Sequence, residues 1–187
     1  MSKGDSDRVL PQIHRAQVVA ESRLFRIEQL DLEFSNGARR QFERMKGTGR
    51  GAVMLVPFID DDTLLLVREY AAGAHAYELG FPKGLIDPGE TPEQAGNREL
   101  MEEVGYGARE LLPLHKVSMA PAFFNASMTI LVARDLYPKR LPGDEPEPLE
   151  VVKWPVNKMD ALLDREDFSE ARSTCALLMI ERWLRQR

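Results

Sequence analysis

The sequence lacks the features of a secreted or membrane-spanning protein. It contains one cysteine, Cys175, so no disulfide can form within the chain. Its longest strongly apolar stretch, Ala52 to Ile59, includes Pro57 and is far too short to cross a bilayer. Residues 1–5 are polar and carry no apolar signal core. These absences lead us to expect a cytoplasmic protein with no membrane attachment.

An excess of positive charge is also missing. The chain has 25 Lys and Arg against 30 Asp and Glu, for a formal net charge of -5. Long polyanions such as DNA and RNA are bound mainly through Lys and Arg, so we expect no nucleic-acid partner. A small polyphosphate stays possible, because a bound metal ion supplies positive charge locally.

The N-terminal quarter of the chain has the pattern of a small β subdomain. Residues 1–13 suit a loose start. Short alternating stretches follow between Ala16 and Met45, and Asn36-Gly37 between two of them predicts a hairpin. The glycine-rich stretch 46–51 indicates a linker. We therefore predict an N-terminal β subdomain over residues 1–46.

The main domain is predicted over residues 47–187, and it mixes strands with helices. The predicted strands are Ala52–Ile59, Thr63–Tyr70, Leu114–Met119, Ser127–Ala133 and Val151–Trp154. The predicted helices are Thr91–Val104, Asp160–Leu163 and Ser169–Arg187, and the predicted loops are Gly80–Gly89 and Leu141–Pro148. Because the order shows no regular strand–helix–strand rhythm, we expect an α/β fold with a mixed sheet packed by helices.

The helix predicted from Thr91 to Val104 has well-defined ends. Thr91 suits the N-cap, Pro92 suits the first helical position, and Gln94 can complete a capping box. Gly105 suits a left-handed end. The faces of the helix can therefore be assigned at about 100° per residue.

Three carboxylates fall on one face of this helix. Glu103 lies about 40° from Glu99, and Glu102 lies about 60° to the other side. Three residues form the core-facing stripe: Leu100, Met101 and Val104. Like charges so close together oppose helix formation, but they suit a hard cation such as Mg²⁺. An ordinary solvated face, supported by an Arg98–Glu102 pair, is the alternative that the helix alone leaves open.

Gly96 lies in the middle of the same helix, where glycine costs about 1 kcal/mol relative to alanine. Two explanations stay open. Its small size leaves room beside the carboxylates, or it permits close packing of the helix.

The segment from Gly84 to Tyr106 resembles the Nudix box. That motif is a Gly, five residues, Glu, seven residues, then Arg-Glu-aliphatic-any-Glu-Glu-any-Gly-aliphatic. Its seven fixed positions are matched by Gly84, Glu90, Arg98, Glu99, Glu102, Glu103 and Gly105. Tyr106 is the one departure, since an aliphatic residue is usual there. On this resemblance the chain is identified as a member of the Nudix hydrolase family.

The resemblance implies a fold, a cofactor and a reaction. The fold is an α/β/α sandwich with a mixed sheet. The cofactor is Mg²⁺ or Mn²⁺, held chiefly by Glu99 and Glu103, with Glu102 assisting in metal binding and catalysis. Arg98 is grouped with the catalytic residues, and with Glu90 it orients the loop and the helix. The reaction is attack of water on a phosphorus of a nucleoside diphosphate joined to another group, for which a base is needed.

Two stretches outside the box resemble the branch of the family that acts on ADP-linked compounds. They are Val67–Tyr70 and Tyr77–Gly80, and they imply substrate binding by Arg68 and Glu78. A purely structural arginine is the alternative for Arg68. Lys83 departs from the ADP-ribose enzymes, which usually have a small residue before the first glycine of the box.

The acidic loop Gly143–Pro148 resembles the loop that supplies the catalytic base in the same branch. Glu145 is the first candidate and Glu147 the second. A solvated acidic loop is the alternative for each of them.

The N-terminal hairpin carries a further implication of the resemblance. It implies a homodimer, in which the hairpin crosses to the partner and helps to hold the adenine end of the substrate. Arg39 and Arg40 become candidates for binding a phosphate or ribose, against the alternative of ordinary surface charge. The implied substrates are ADP-ribose, NADH and diadenosine polyphosphates, with release of AMP.

Two other functions are weighed against this one. The first is a strict ADP-ribose pyrophosphatase. The second, from a different class, is a non-catalytic sensor that binds ADP-ribose or NAD. A sensor is expected to have lost the box carboxylates, whereas Glu99, Glu102 and Glu103 are all present.

Overall fold

A computed structural model describes residues 8–186 of the chain. Its strands are β1 Gln12–Glu21, β2 Arg26–Glu33, β3 Arg39–Met45, β4 Ala52–Asp60, β5 Thr63–Ala71, β6 Ala76–Gly80, β7 Lys83–Leu85, β8 Tyr106–Ala120, β9 Phe124–Pro138 and β10 Glu150–Pro155. Its helices are α1 Pro92–Glu99, which a π-helical segment at Leu100–Val104 continues, and α2 Ala171–Leu184. Two 3₁₀ turns lie at Val156–Lys158 and Asp160–Leu162.

The chain forms two compact units. The first comprises the chain up to Gly49 together with Ala120–Ala126. The second comprises Arg50–Met119 and Ser127–Arg187. The predicted division after residue 46 stays a prediction.

The first unit is built on an antiparallel meander of β1, β2 and β3. The predicted hairpin is confirmed, because Glu33 pairs with Arg39 and Gly37 has φ of 79° in the turn between them. Left-handed backbone of this kind favours glycine. The prediction of a loose start is wrong for Gln12 and Ile13, which lie in β1, and residues 1–7 of that start lie outside the described residues.

The second unit contains a mixed sheet, as predicted, and β4 lies at its centre. β4 pairs in parallel with β9 and antiparallel with β5 and β7. β5 also pairs antiparallel with β6 and β10. Strands of both directions in one sheet, with helices packed against it, confirm the α/β class.

Successive residues of β4 face two separate hydrophobic clusters, because side chains alternate across a strand. One cluster contains Met54, Val56, Ala176, Leu177 and Ile180, so α2 covers this face. The other contains Val53, Leu55, Ala95, Leu100 and Val104, so α1 and the π segment cover the opposite face. The sheet therefore lies between two helical layers, which confirms the α/β/α sandwich.

Several predicted boundaries are wrong. β8 and β9 are longer than the predicted strands Leu114–Met119 and Ser127–Ala133, and Lys83–Leu85 forms a short strand inside the predicted loop. The helix predicted at Asp160–Leu163 is only a 3₁₀ turn. Arg187, at the end of the other predicted C-terminal helix, lies outside the described residues. No helix among residues 8–186 is long and apolar enough to cross a membrane.

Gly96 is explained by packing rather than by room beside the carboxylates. A Cβ at this position would lie 2.9 Å from Cδ1 of Leu131 and 2.9 Å from Cδ1 of Leu55. Both leucines are fully buried, so they have little space to move.

We expect Gly96→Ala to destabilise the protein by about 1 kcal/mol or more, because overpacking outweighs the gain of roughly 1 kcal/mol in helix propensity. Urea unfolding would measure the change. Gly73→Ala is the control, since nothing lies within 4 Å of a Cβ built at Gly73. If Gly96→Ala instead stabilises the protein, the side chains of Leu55 and Leu131 can move aside for the new methyl group without a loss of packing energy.

Candidate active site

The helix that carries the carboxylates begins as predicted. Thr91 Oγ1 accepts a hydrogen bond from Gln94 N at 3.2 Å, and Gln94 Oε1 accepts one from Thr91 N at 2.9 Å, which completes the capping box. Pro92 occupies the first helical position. The start of the helix is therefore determined by local sequence.

The end of the same helix differs from the prediction. Gly105 has φ of 81° and its N–H donates to Leu100 O at 3.1 Å, an i→i+5 bond that makes Leu100–Val104 π-helical. The prediction of one continuous α-helix is wrong over these residues. Angles of 100° per residue consequently hold only as far as Glu99. Such π segments are frequent at functional sites.

Arg98 joins the loop before the helix to two carboxylates of the helix. Its Nε donates to Glu90 Oε1 at 2.9 Å, and its Nη2 donates to Leu85 O at 2.9 Å. Its Nη1 donates to Glu99 Oε1 at 2.7 Å and to Glu102 Oε2 at 2.9 Å. The Glu90 hydrogen bond is the main cause of a raised Arg98 pKa, so the guanidinium stays charged.

Glu99 is 9% exposed and lies against the backbone of Gly84. A Cβ at residue 84 would overlap the Glu99 carboxyl group, so a side chain at this position would displace it. Burial raises the pKa of Glu99, and the negative charges of Glu102 and Asp144 raise it further, while Arg98 acts against them.

Glu103 is 4% exposed, and its Oε2 accepts a hydrogen bond from the backbone N–H of Lys83 at 3.2 Å. Burial raises the pKa of Glu103 to about 8, and the charges of Glu99 and Glu69 add to this while Lys83 opposes it. The Lys83 ammonium group is itself paired with Glu69. Glu103 is thus a buried carboxylate that a nearby cation would stabilise.

The donor set fits a hard divalent cation. Among residues 8–186, no three His, Cys, Asp or Glu side chains stand ready to hold a metal together. Glu99 and Glu102 accept hydrogen bonds from Arg98, and Glu103 accepts one from the backbone N–H of Lys83. Buried carboxylates with raised pKa values nevertheless suit Mg²⁺, which takes oxygen ligands and offsets their mutual repulsion.

The acidic loop approaches this helix at Gly143. A Cβ built on Gly143 would lie 3.9 Å from Cβ of Glu102 and would overlap the carboxylate of Glu145. The two predicted bases therefore differ in position. Glu145 is half-buried beside Gly143, whereas Glu147 is exposed and accepts a hydrogen bond from the hydroxyl of Tyr77.

Arg68 is held by two acidic residues. Its Nε donates to Glu150 Oε2 at 2.9 Å, and its Nη1 donates to Asp167 Oδ2 at 2.6 Å. It lines a cleft of about 410 Å³ with Tyr70, Tyr77 and residues 145–150. This volume lies within the range of small-molecule sites.

Glu78 lies outside that cleft. It accepts hydrogen bonds from the backbone N–H of Ser169 at 3.3 Å and from its hydroxyl at 3.0 Å. It lines a separate cavity of about 200 Å³ with Glu69 and Lys83. Glu78 is thus connected to the carboxylate site through the Glu69–Lys83 pair.

In the first unit, Arg39 and Arg40 line a cavity of about 520 Å³ with His14, Asp31 and Gln41. Arg39 pairs with Glu33 at 3.0 Å, and Arg40 Nη1 donates to Arg39 O at 2.7 Å.

Four contributors to the site were missed from the sequence: Lys83, Glu69, Asp144 and Tyr77. Lys83 carried a signal, because it departs from the usual small residue before the first glycine of the box. Asp144 lay inside the acidic loop but was not selected from it. Glu69 and Tyr77 lay inside the stretches Val67–Tyr70 and Tyr77–Gly80, but their roles depend on contacts with residues distant in sequence, Lys83 and Glu147.

The sandwich and its carboxylate-bearing helix define a Nudix-type site, and comparison with known proteins agrees. The family model described as the NUDIX domain matches residues 48–177. A second, described as the NudE-type Nudix hydrolase N-terminal domain, matches residues 11–44. The chain belongs to the Nudix hydrolase family and is a pyrophosphohydrolase of that family.

Individual relatives are similar over most of the chain. The ADP compounds hydrolase NudE of Escherichia coli (strain K12) is 57% identical over 94% of this chain and 94% of its own. The ADP-ribose pyrophosphatase of Bacillus subtilis (strain 168) is 26% identical over 81% of this chain and 82% of its own. A crystal structure of an ADP compounds hydrolase superposes with a TM-score of 0.92 at 55% identity, covering 97% of this chain and 98% of that one.

Proposed function

We propose that this protein hydrolyses the pyrophosphate bond of ADP-linked compounds and releases AMP. ADP-ribose, NADH and diadenosine polyphosphates are the expected substrates. One observation carries the proposal: the buried carboxylates Glu99 and Glu103 lie side by side on a complete Nudix box, with an acidic loop beside them. The substrates named for the NudE relative and the Bacillus relative support the choice of ADP compounds.

Glu99 and Glu103, assisted by Glu102, would hold Mg²⁺, with Mn²⁺ as a substitute. When bound, the ion supplies positive charge for the diphosphate and lowers the pKa of the attacking water. Glu145 takes the proton from that water as general base. Arg98 keeps the loop and the helix in register through Glu90.

Substrate binding is assigned to four side chains. We assign Arg68 to the phosphates, since its cleft opens beside the acidic loop. It would then exchange Asp167 for a phosphate oxygen. Glu78 assists from the neighbouring cavity. Arg39 and Arg40, which line a cavity of the first unit, are assigned to a phosphate or ribose of the substrate bound by the partner subunit of the proposed dimer.

The test is hydrolysis of a substrate panel by the pure protein. ADP-ribose, NADH, diadenosine triphosphate and dGTP are incubated with Mg²⁺ or with EDTA, and the products are resolved by HPLC. We expect AMP from the three ADP compounds, only with metal and not with Glu103→Gln. If dGTP is the preferred substrate, or if ADP-ribose binds and no substrate is cleaved, the proposal fails; the second result would favour the sensor.

We further propose that the protein is a cytoplasmic homodimer. The cytoplasmic assignment rests on the single cysteine. The dimer rests on β1, which is exposed along its whole length and carries the exposed apolar side chains Ile13, Val18 and Val19. A long, exposed apolar edge strand is a template for pairing with another chain.

We expect the double substitution Ile13→Glu with Val19→Glu to weaken self-association by about 10²-fold or more, since each apolar side chain loses roughly 1.5–3 kcal/mol of burial. Sedimentation equilibrium over a range of concentrations measures it. Exposed Val9→Glu, outside the strand, is the control. A wild-type protein that stays monomeric throughout would contradict the dimer.

A further inference from the structure

We propose that Tyr77 is a positioning residue, which holds the acidic loop Gly143–Pro148 beside the metal-binding carboxylates through its hydrogen bond to Glu147. The inference rests on the proposed function for the role of the loop. It adds a residue that the Nudix box does not contain, and it gives Glu147 a task different from that of Glu145.

The ring of Tyr77 is positioned by the sheet and by a neighbouring ring. Tyr77 lies in β6 directly opposite Tyr70 in β5. The two rings meet edge to face, with centroids 5.8 Å apart and planes at 64°. The Tyr70 hydroxyl is in turn hydrogen-bonded to His75 Nδ1 at 2.7 Å. The hydroxyl of Tyr77 therefore projects from a ring that the strand pairing and the contact with Tyr70 position.

The loop is attached to the sheet at two points. The carboxylate of Glu147 accepts the hydrogen bond of the Tyr77 hydroxyl, and this bond joins residues that are 70 positions apart in the chain. Glu150, which follows the loop in β10, pairs with Arg68 both in the strand register and through its side chain at 2.9 Å. Arg68 and Tyr77 thus anchor the same end of the loop.

The other end of the loop reaches the carboxylates. Gly143 lies beside Glu102, and the charge of Asp144 is close enough to raise the pKa of Glu99. Glu145 lies between the two ends, and within residues 8–186 its carboxylate makes no hydrogen bond or ion pair. A carboxylate without such partners is available to accept a proton from water, whereas that of Glu147 is already engaged.

The hydroxyl of Tyr77 suits this role chemically. The accepting carboxylate of Glu147 holds the pKa of Tyr77 above its usual range, so the phenol keeps its proton at neutral pH. Ordering a loop costs conformational entropy, and a hydrogen bond from the sheet to the loop offsets part of that cost. Loss of the hydroxyl should leave the loop in place for only part of the time and reduce turnover accordingly.

Kinetics of five variants test the proposal. Tyr77→Phe should lower kcat about tenfold with little change in KM, the effect of losing one hydrogen bond. Glu147→Ala should lower it equally, and Tyr77→Phe with Glu147→Ala should be no worse than either alone, since both remove the same contact. Glu147→Gln keeps an acceptor and should recover most of what Glu147→Ala loses. Glu145→Gln should lose about 10²-fold, as expected for a general base.

Hydrogen–deuterium exchange provides a readout that does not depend on activity. Tyr77→Phe should speed exchange in peptides that cover residues 143–150 and leave peptides from α2 unchanged. Tyr137→Phe, which removes a tyrosine hydroxyl from β9, is the matched control and should leave the loop as in wild type.

Two results would overturn the proposal: loop exchange in Tyr77→Phe equal to wild type, or a loss in Glu147→Gln as large as that in Glu145→Gln. The second would make Glu147 the base. If the wild-type protein cleaves no ADP compound, the proposed function fails, while the exchange measurement still decides whether Tyr77 holds the loop.

Discussion

Glu103→Gln is expected to reduce kcat/KM for ADP-ribose by about 10⁴-fold, which corresponds to the several kcal/mol that a bound metal contributes. Glutamine has the same size as Glu103, but it lacks the negative charge that attracts the cation. Titration calorimetry with Mg²⁺ should show the loss of affinity directly. Glu110→Gln, at an exposed position of β8, is the matched control and should behave as wild type.

The same substitution should not weaken the metal-free fold. Burial raises the pKa of Glu103 from its ordinary value of 4.5 to about 8. The stability that a protonated Glu103 contributes is therefore fully present below pH 4.5 and is lost as pH rises through about 8. Glutamine does not titrate, so the stability of the metal-free variant should not fall with pH for this reason.

Thermal melts in EDTA between about pH 4.5 and 8 measure this effect. The Tm of Glu103→Gln should fall less than that of the wild type over this window, and at its upper end it should be equal to or above the wild-type value. A variant that melts well below wild type at pH 8 would show that the Glu103 carboxylate is needed for folding, and its loss of activity would then say little about metal binding.

Local patterns in the sequence were enough to predict much of the fold. The Asn36-Gly37 turn, the buried strand β4 and the capping box at Thr91 all depend on residues within one or two turns of each other. Hydrophobic periodicity and turn chemistry report such features well.

Features that depend on distant residues could not be predicted in the same way. The strand β7 forms because Gly84 pairs with Val53. The tip of the β8–β9 hairpin, Ala120–Ala126, belongs to the first unit although it lies far along the chain.

The candidate site likewise has features that local sequence predicts and features that depend on distant residues. The spacing of the box was sufficient to select Glu99, Glu102 and Glu103, because the chemistry of a helix face is local. It could not show that Glu103 accepts a hydrogen bond from Lys83 N, or that Glu147 is engaged by Tyr77. The role of each carboxylate depends on its burial and its long-range contacts, and the spacing of residues in the sequence predicts neither of these.

Gly84 illustrates how a residue can matter through the space that it leaves. It pairs with Val53 in β7, and the Glu99 carboxyl group occupies the position that a side chain at residue 84 would fill. The backbone at Gly84 does not require glycine for its φ angle, since it is absent from the residues with positive φ. Glycine is therefore required at position 84 because the Glu99 carboxyl group occupies the space of a side chain.

Gly84→Ala should consequently be a functional defect more than a folding defect. The carboxyl end of Glu99 can swing away from the new methyl group, so we expect Tm to fall only slightly. The displaced carboxylate would no longer share a cation with Glu103, and we expect kcat/KM to fall about 10³-fold, as for partial loss of a metal ligand. Steady-state hydrolysis of ADP-ribose over a range of Mg²⁺ concentrations, with Tm measured in parallel, tests both parts.

Gly73→Ala provides the control for adding a methyl group to a glycine, because nothing lies near its Cβ position. Gly84→Ala should need more Mg²⁺ for half-maximal rate, whereas Gly73→Ala should match wild type. Full activity in Gly84→Ala would mean that the observed position of Glu99 is not the one used in catalysis. An equal loss of activity and of folded protein would mean that Gly84 serves the strand pairing with Val53. If Gly84→Ala stays folded, loses activity and needs more Mg²⁺ for half-maximal rate, the first glycine of the box supports metal binding by leaving room for Glu99.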